Sequence, residues 1–248
     1  MTNSQRRPLF IGSVLRTTSL LGFAGVLAVA CPLSGVAAQS PSRTTNFHWN
    51  GTLAQGKTLE IRGVYGSIRA ISSNNGSIQV DARIHDPALS RVDVVPSDNG
   101  ITICGVAATR NGDVRECQPE RGTEDLEKGD SRVDFVIRVP AGIRFAASMI
   151  HGDIMVNSLR SNVNAATIDG NIELNESRDQ GAEFYGNTVT GAIDSDFPIY
   201  ENVPPPPESG PVDAHRPRIV SSKIGNGGPV LEASTISGTI RLRTIAAQ

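Results

Sequence analysis

Two carboxylates are the residues best placed to do chemistry in this sequence of 248 residues. Glu173 and Asp194 stand at the same offset, three positions after Gly170 and Gly191. Two carboxyl groups on one face can act as general acid and general base on a glycosidic bond, as in a carbohydrate-active lyase or hydrolase. The same offset in the other copies of the motif holds Arg69, Met155 and Arg241. A solvated row of mixed charge therefore explains the pair without catalysis, because no His or Lys at a fixed nearby offset completes a site.

Histidines and threonines give weaker candidates. The sequence has neither a phosphate-binding glycine loop that opens a helix nor a nucleophile elbow. Four histidines share no metal-ligand spacing: His48, His85, His151 and His215. A threonine recurs three residues before the glycine in three copies of the motif: Thr167, Thr188 and Thr235. Outward threonines can present ordered hydroxyls to a glycan, but they are also ordinary on strands. The sequence therefore predicts no catalytic residue, no metal and no cofactor.

These positions belong to an internal repeat built on Gly-x-Ile. Five copies share one register, with Gly66 and Ile68, Gly152 and Ile154, Gly170 and Ile172, Gly191 and Ile193, and Gly238 and Ile240. Another copy of the motif stands at 76–78. Each glycine is expected to face inward beside its isoleucine, where it permits close backbone approach or a positive φ.

The apolar positions around each glycine fall into two sets. Seven residues before it stand Leu59, Phe145, Val163, Phe184 and Leu231. Two residues before it stand Val64, Ile150, Ile168, Val189 and Ile236, which are expected to face inward with the glycine. The two sets have opposite strand parity, so a bend or bulge must separate them. Each repeat is therefore predicted to be a bent β-unit.

The predicted fold is all-β, a single-stranded β-solenoid-like stack of bent repeats, right-handed if it is a true helix. Glycine (25) and proline (15) are plentiful and only 19% of residues are charged, which disfavours a coiled coil or a charged disordered chain. Residues 46–140 form a less regular half, with strands expected at 58–70, 77–83, 91–95, 100–105 and 132–139. Residues 141–248 hold the regular repeats.

A proline-rich insertion at 198–218 interrupts the regular half. A run of prolines cannot donate hydrogen bonds to a sheet, so the insertion is expected to be an exposed loop. A solvated insertion and a recognition loop for a partner protein both remain open.

Residues 1–38 have the organisation of a secretory signal peptide. Arg6 and Arg7 form a positive start, 19–30 are apolar, and Val36 and Ala38 offer small residues for cleavage. Cleavage leaves one β-repeat domain, 39–248, without a stable membrane span. A lipid anchor on Cys31, a twin-arginine signal and an uncleaved anchor are the alternatives. Loss of three arginines leaves 20 basic residues against 25 acidic ones, which argues against a nucleic-acid binder.

Two cysteines remain in the mature chain, Cys104 and Cys117. An even number in an exported protein predicts one disulfide, and an Asn-Gly turn within 110–113 would let the two meet across a hairpin-like excursion. A metal pair is the alternative, but the further ligands that zinc needs are missing nearby.

Several segments together resemble the bacterial putative-adhesin family, whose members are envelope proteins with β-strand repeats. They are 47–51 (FHWNG), 59–68 (LEIRGVYGSI), Ile103-Cys104, 225–229 (GNGGP) and 235–242 (TISGTIRL). The resemblance implies an exported β-domain of the cell envelope, secreted, periplasmic or at the surface, and transfers no catalytic residue. The sequence thus favours a non-catalytic adhesin or binding module for a surface glycan or protein. A carbohydrate-active enzyme and an envelope-stress signalling accessory are the alternatives.

Overall fold

A computed structural model describes residues 44–107, 117, 132–201 and 218–246. Within these ranges the protein is all-β, without a helix, and its strands join in one mixed sheet. Residues 1–38, the expected turn at 110–113 and most of the proline-rich insertion lie outside the described residues. The strands are β1 (Thr45–Gly51), β2 (Thr58–Ser73), β3 (Ile78–Ile84), β4 (Ser90–Ser97), β5 (Gly100–Ala107), β6 (Arg132–Pro140), β7 (Arg144–Asn157), β8 (Val163–Asp169), β9 (Ile172–Ser177), β10 (Ala182–Thr190), β11 (Ile193–Ser195), β12 (Tyr200–Glu201), β13 (Arg218–Ile224), β14 (Val230–Ser237) and β15 (Ile240–Ile245).

Each in-register Gly-x-Ile repeat forms one bent rung of a parallel stack. In β2 and β7 a single long strand runs through both halves of the rung. The two strands are paired on both sides of the bend, with Leu59 opposite Phe145 and Ile68 opposite Ile154. In the other repeats the rung is divided at the glycine into β8 and β9, β10 and β11, or β14 and β15. Equivalent residues pair from rung to rung, so the repeat sets the register of the sheet.

The order of the rungs departs from the order of the chain. The first halves run β2, β7, β8, β14, β10, so the last repeat lies between two earlier ones. A solenoid would place successive repeats side by side, and that part of the fold prediction is not confirmed. The chain instead leaves the stack after β9 and forms β10 and β11 one position farther out. It then adds β13 antiparallel to β10 and returns to fill the gap with β14 and β15.

The N-terminal half extends the other side of the stack. There β5 pairs with the first half of β2 and β6 with its second half, both in parallel. Beyond β6 the sheet continues antiparallel through β3 to the edge strand β1, while β4 forms a hairpin with β5. The Gly-x-Ile copy at 76–78 leads into antiparallel β3 and is not a rung of the stack.

The bend glycines stack in a column along the sheet. Gly170 has φ +158°, and a Cβ added to it would overlap the carbonyl oxygen of Gly152 in the next rung. Gly238 stands against the carbonyl of Gly170 in the same way, and Gly191 against that of Gly238. Only glycine allows two backbones to approach this closely at a bend.

The inward parity changes at the glycine itself. The isoleucines after the glycine are buried, and so are the residues seven and three positions before it. The expectation that the residue two positions before it faces inward is wrong, since Ile168, Val189 and Ile236 are 45%, 36% and 50% exposed. The threonines expected outward, Thr167, Thr188 and Thr235, are buried instead. The first half of each rung keeps its alternation up to the residue three positions before the glycine, which is a threonine in three rungs. The positive-φ glycine then shifts the alternation by one residue.

Inward side chains from both halves of the rungs form one core. Phe145 and Phe184 from the first halves belong to the same buried cluster as Ile172 and Leu174 from the second halves. Burying one such side chain contributes about 1.5–3 kcal/mol. The stack is therefore held by apolar burial on one side of a continuous bent sheet.

A disulfide joins Cys104 of β5 to Cys117, with their Cα atoms 5.7 Å apart. The pairing expected from the sequence is therefore present, and it ties the middle of β5 to Cys117. Within the described ranges there is no helix long and apolar enough to cross a membrane.

The glycine column leads to a stability prediction. Gly170→Ala should lower the free energy of unfolding by more than about 3 kcal/mol, because the new Cβ meets a backbone carbonyl and the positive φ strains an alanine. Gly76→Ala is the control, since no atom lies within 4 Å of a Cβ there, and it should change stability by less than about 0.5 kcal/mol. Urea unfolding measures both. Equal losses would show that the column does not constrain the stack.

Candidate functional site

The two candidate carboxylates lie on the outer side of the second halves, but they are not neighbours. Arg241 pairs in register with Glu173 on one side and with Asp194 on the other. Neighbouring strands are about 4.8 Å apart. Because β15 lies between β9 and β11, the backbones that carry Glu173 and Asp194 are about 10 Å apart. Asp194 also accepts a hydrogen bond from Arg243 at 2.5 Å, and Glu173 accepts one from Asn175 at 2.9 Å. The arrangement is a row of alternating charges.

Two of the recurring threonines donate hydrogen bonds to the backbone at the bend. Thr167 Oγ1 donates a hydrogen bond to the carbonyl oxygen of Gly152 at 3.1 Å, and Thr235 Oγ1 donates to that of Gly170 at 3.3 Å. Each hydroxyl thereby partners a carbonyl of the glycine column. The third, Thr188 Oγ1, is buried and has no hydrogen-bond partner among the described residues. These hydroxyls face the interior, so they cannot form a surface for a glycan.

Two histidines near the N-terminal edge each lie against an aspartate. His48 Nδ1 is 2.6 Å from Asp81, and His85 Nε2 is 2.8 Å from Asp134. Partial burial opposes ionisation of Asp134, but hydrogen bonds from Ser67, His85 and Arg132 outweigh it and hold the pKa of this carboxyl below its ordinary value. Asp134 stands between Ser67 and His85, whereas a nucleophilic serine needs the imidazole on its own hydroxyl. The cluster is a hydrogen-bonded network in which Ser67, His85 and Arg132 all contact the Asp134 carboxylate.

The other histidines give no further chemistry. His151 stacks on Tyr65 with ring centroids 5.0 Å apart and lies 3.4 Å from Asp169. His215 lies outside the described residues. Within the part of the chain that the structure describes, no three His, Cys, Asp or Glu side chains are grouped so that they could hold a metal ion.

Exposed apolar side chains are concentrated on one outer surface. The displaced parity places Ile168, Ile236 and Val189 next to one another across β8, β14 and β10. Tyr185 lies on β10 itself. Neighbouring strands add Ile219 of β13, which pairs with Asn187, and Tyr200 of β12. Six of the eight exposed large hydrophobic residues in the described chain lie here, and together they define the apolar outer face: Ile168, Tyr185, Val189, Tyr200, Ile219 and Ile236.

The apolar outer face borders the proline-rich insertion. Tyr200 and Glu201, which fall inside the expected insertion 198–218, form the short strand β12 and pair with β13. Ser222 of β13 donates a hydrogen bond to the carbonyl of Pro198 at 2.6 Å. Both ends of the insertion are therefore built into the sheet beside this face.

A buried carboxyl group, Glu176, was missed by the sequence analysis. It stands two residues after the inward Leu174 at the end of β9, so continuing the alternation would have placed it inside. It is 3% exposed, and its Oε1 has no hydrogen-bond partner among the described residues. Burial raises its pKa to about 8. It lines a cavity of about 240 Å³.

Comparisons with known proteins find a likeness in solved structures alone. No family model matches the sequence, and no curated protein matches it. A putative cell adhesion protein from Clostridium sporogenes is 9% identical, with a TM-score of 0.46, over 82% of this chain and 100% of that one. A putative adhesin from Bacteroides fragilis is 12% identical, with a TM-score of 0.25, over 81% of this chain and 97% of that one. Both of these solved structures are named as adhesion proteins.

Glu176 makes stability depend on pH. Its pKa is about 8 in the folded protein and 4.5 ordinarily, so between these values the folded state keeps a proton that the unfolded chain releases. Stability should therefore fall as the pH rises from about 5 to 8, by about 1 kcal/mol for each pH unit. Urea unfolding across this range should find that Glu176→Gln removes this contribution. Glu173→Gln, on the outer side of the same strand, should keep the wild-type dependence. Parallel curves for wild type and Glu176→Gln would contradict the assignment.

Proposed function

We propose that the protein is an exported, non-catalytic binding protein of the bacterial envelope that attaches to a protein partner through the apolar outer face. The observation that carries this proposal is the row formed by Ile168, Ile236 and Val189. The row lies on the outside of a sheet whose opposite side already forms the core.

The composition of the apolar outer face favours a protein partner. Aliphatic side chains gain most from burial against other apolar groups, at about 25 cal/mol for each Å² removed from water. Tyr185 and Tyr200 add the aromatic side chains that are enriched at protein interfaces. A glycan site would be expected to present aromatic faces among hydroxyl and amide groups, and here the central row is aliphatic.

The polar geometry favours binding without catalysis. Glu173 and Asp194 are separated by Arg241, so they do not form a matched acid and base. The Ser67 hydroxyl is bonded to a carboxylate and not to a histidine. Neither arrangement holds a reactive group in the geometry that general acid-base or nucleophilic catalysis needs.

Export is part of the same proposal. Residues 1–38 act as the signal peptide, and 39–248 form the mature domain. The Cys104–Cys117 disulfide supports an oxidising compartment, as found outside the bacterial cytoplasm.

The binding prediction compares two exposed aliphatic residues on different surfaces. The mature protein should bind to intact bacterial cells, and protease treatment of the cells should abolish binding while periodate oxidation of glycans should not. Ile236→Glu should weaken binding at least tenfold, roughly 1.4 kcal/mol, because it places a charge in the centre of the apolar outer face. Val136→Glu is the control, because Val136 is 39% exposed on β6, and it should bind like wild type.

The outcome of these treatments separates the candidate partners. Binding that is lost after periodate and retained after protease would identify a glycan and contradict the proposal. Binding that survives Ile236→Glu but is lost on deletion of 202–217 would instead favour the signalling accessory that uses the proline-rich insertion.

The catalytic alternative has its own assay. Wild-type protein should release neither reducing ends nor unsaturated products from a panel of polysaccharides. The double variant Glu173→Gln with Asp194→Asn should behave identically and remain folded, because neither side chain is buried. Product formation by wild type that disappears in the folded double variant would establish an enzyme.

A further inference from the structure

We propose that the cavity beside Glu176 binds a small zwitterion, with an ammonium group against the Glu176 carboxyl group and an anionic group against Arg160. This cavity, called the Glu176 cavity below, has a volume of about 240 Å³. It is formed where the segment after β7 meets the end of β9 and the first residues of β10 and β14. Its lining residues are Leu159, Arg160, Glu176, Gln180, Gly181, Ala182, Pro229 and Leu231.

The position of Glu176 in its rung is exceptional. Six residues after the bend glycine, the other rungs place neutral side chains: Ser72, Ser158, Phe197 and Thr244. Only the rung of Gly170 places an ionisable group there. Burying a carboxyl group without a partner costs several kcal/mol compared with an apolar or hydroxyl side chain. The core alone therefore gives no reason for a carboxyl group at this position.

A second polar atom next to Glu176 also lacks a partner. Thr244 of β15 pairs in register with Glu176, and its Oγ1 is buried without a hydrogen bond to any described residue. Native proteins satisfy nearly all buried polar atoms. A donor placed beside Glu176 Oε1 would provide the hydrogen bond that the protein itself does not supply there.

The charges and walls of the Glu176 cavity define the ligand. Arg160 is exposed and is the other charged residue among the described residues that line it. A ligand that is only cationic leaves the Arg160 guanidinium without a counter-charge, and one that is only anionic brings no donor for Glu176 Oε1. Leu159, Ala182 and Leu231 are buried and line the cavity with apolar surface. A molecule with a short apolar body and opposite charges at its ends matches all three features.

Proton release would accompany binding. Burial keeps the Glu176 carboxyl group protonated at neutral pH, because its pKa is raised to about 8. An ammonium group at hydrogen-bond distance favours the ionised carboxylate. Binding at about pH 6.5 should therefore release about one proton into the buffer, and binding well above pH 8 should release almost none.

The test uses 4-aminobutanoate as the probe, with butylammonium and butanoate as ligands that each lack one charge. Titration calorimetry should find that the zwitterion binds at least tenfold more tightly than either analogue. Its heat at about pH 6.5 should differ between buffers of different ionisation enthalpy by the amount expected for about one proton. Glycine, β-alanine and 5-aminopentanoate extend the series to other charge separations.

Variants assign the two ends of the ligand. Glu176→Gln preserves the shape of the side chain and should abolish both binding and proton release. Arg160→Met should remove the preference for the zwitterion over butylammonium. Glu173→Gln, outward on the same strand, should bind like wild type. Absence of binding throughout the series, or unchanged binding by folded Glu176→Gln, would overturn the proposal, and binding without a response to Arg160→Met would overturn the assignment of the anionic end.

Discussion

Every rung of the stack depends on one close contact, in which the bend glycine of one rung lies against the backbone carbonyl of the next. The contact leaves no room for a Cβ, so the glycines form a column through Gly152, Gly170 and Gly238. Threonines in β8 and β14 donate hydrogen bonds to the carbonyls of this column. The column fixes where each rung bends and so decides which side chains enter the core and which form the apolar outer face.

Much of this arrangement was predictable because apolar residues recur at fixed distances from the glycine. The bent β-unit, the buried isoleucine after the glycine and the disulfide all follow from residue type and spacing. The position of the parity change did not follow, because both Thr167 and Ile168 could occupy the interior by alternation alone. Hydropathy favoured the isoleucine. In the structure the alternation continues unbroken to Thr167, whose hydroxyl bonds to a backbone carbonyl, and it shifts only at the glycine. This shift at the glycine creates the apolar outer face.

The candidate sites could be predicted only in part, because the spacing within one repeat does not show which repeats lie next to it in the sheet. Glu173 and Asp194 were correctly placed at one offset, but the repeats share that offset, so spacing could not show that Arg241 lies between them. Glu176 follows the inward alternation of Ile172 and Leu174, and a charged residue at the end of an apolar pattern resembles the start of a loop. Its burial depends on β15 and on the residues at the start of β10, which lie far from it or beyond it in the sequence and enclose it only in the folded sheet.

The last repeat lies between two earlier ones, so the sheet cannot be completed before this repeat has been synthesised. β14 and β15 supply the hydrogen bonds on the open sides of β8 and β9 and of β10 and β11. These pairings join distant parts of the chain, and such non-local contacts form late and slowly. A chain synthesised from its N-terminus therefore cannot complete this sheet until residues 230–245 have been made. Until β14 and β15 form, the facing edges of β8 and β10 and of β9 and β11 stay unpaired, and such edges are open to pairing with other chains.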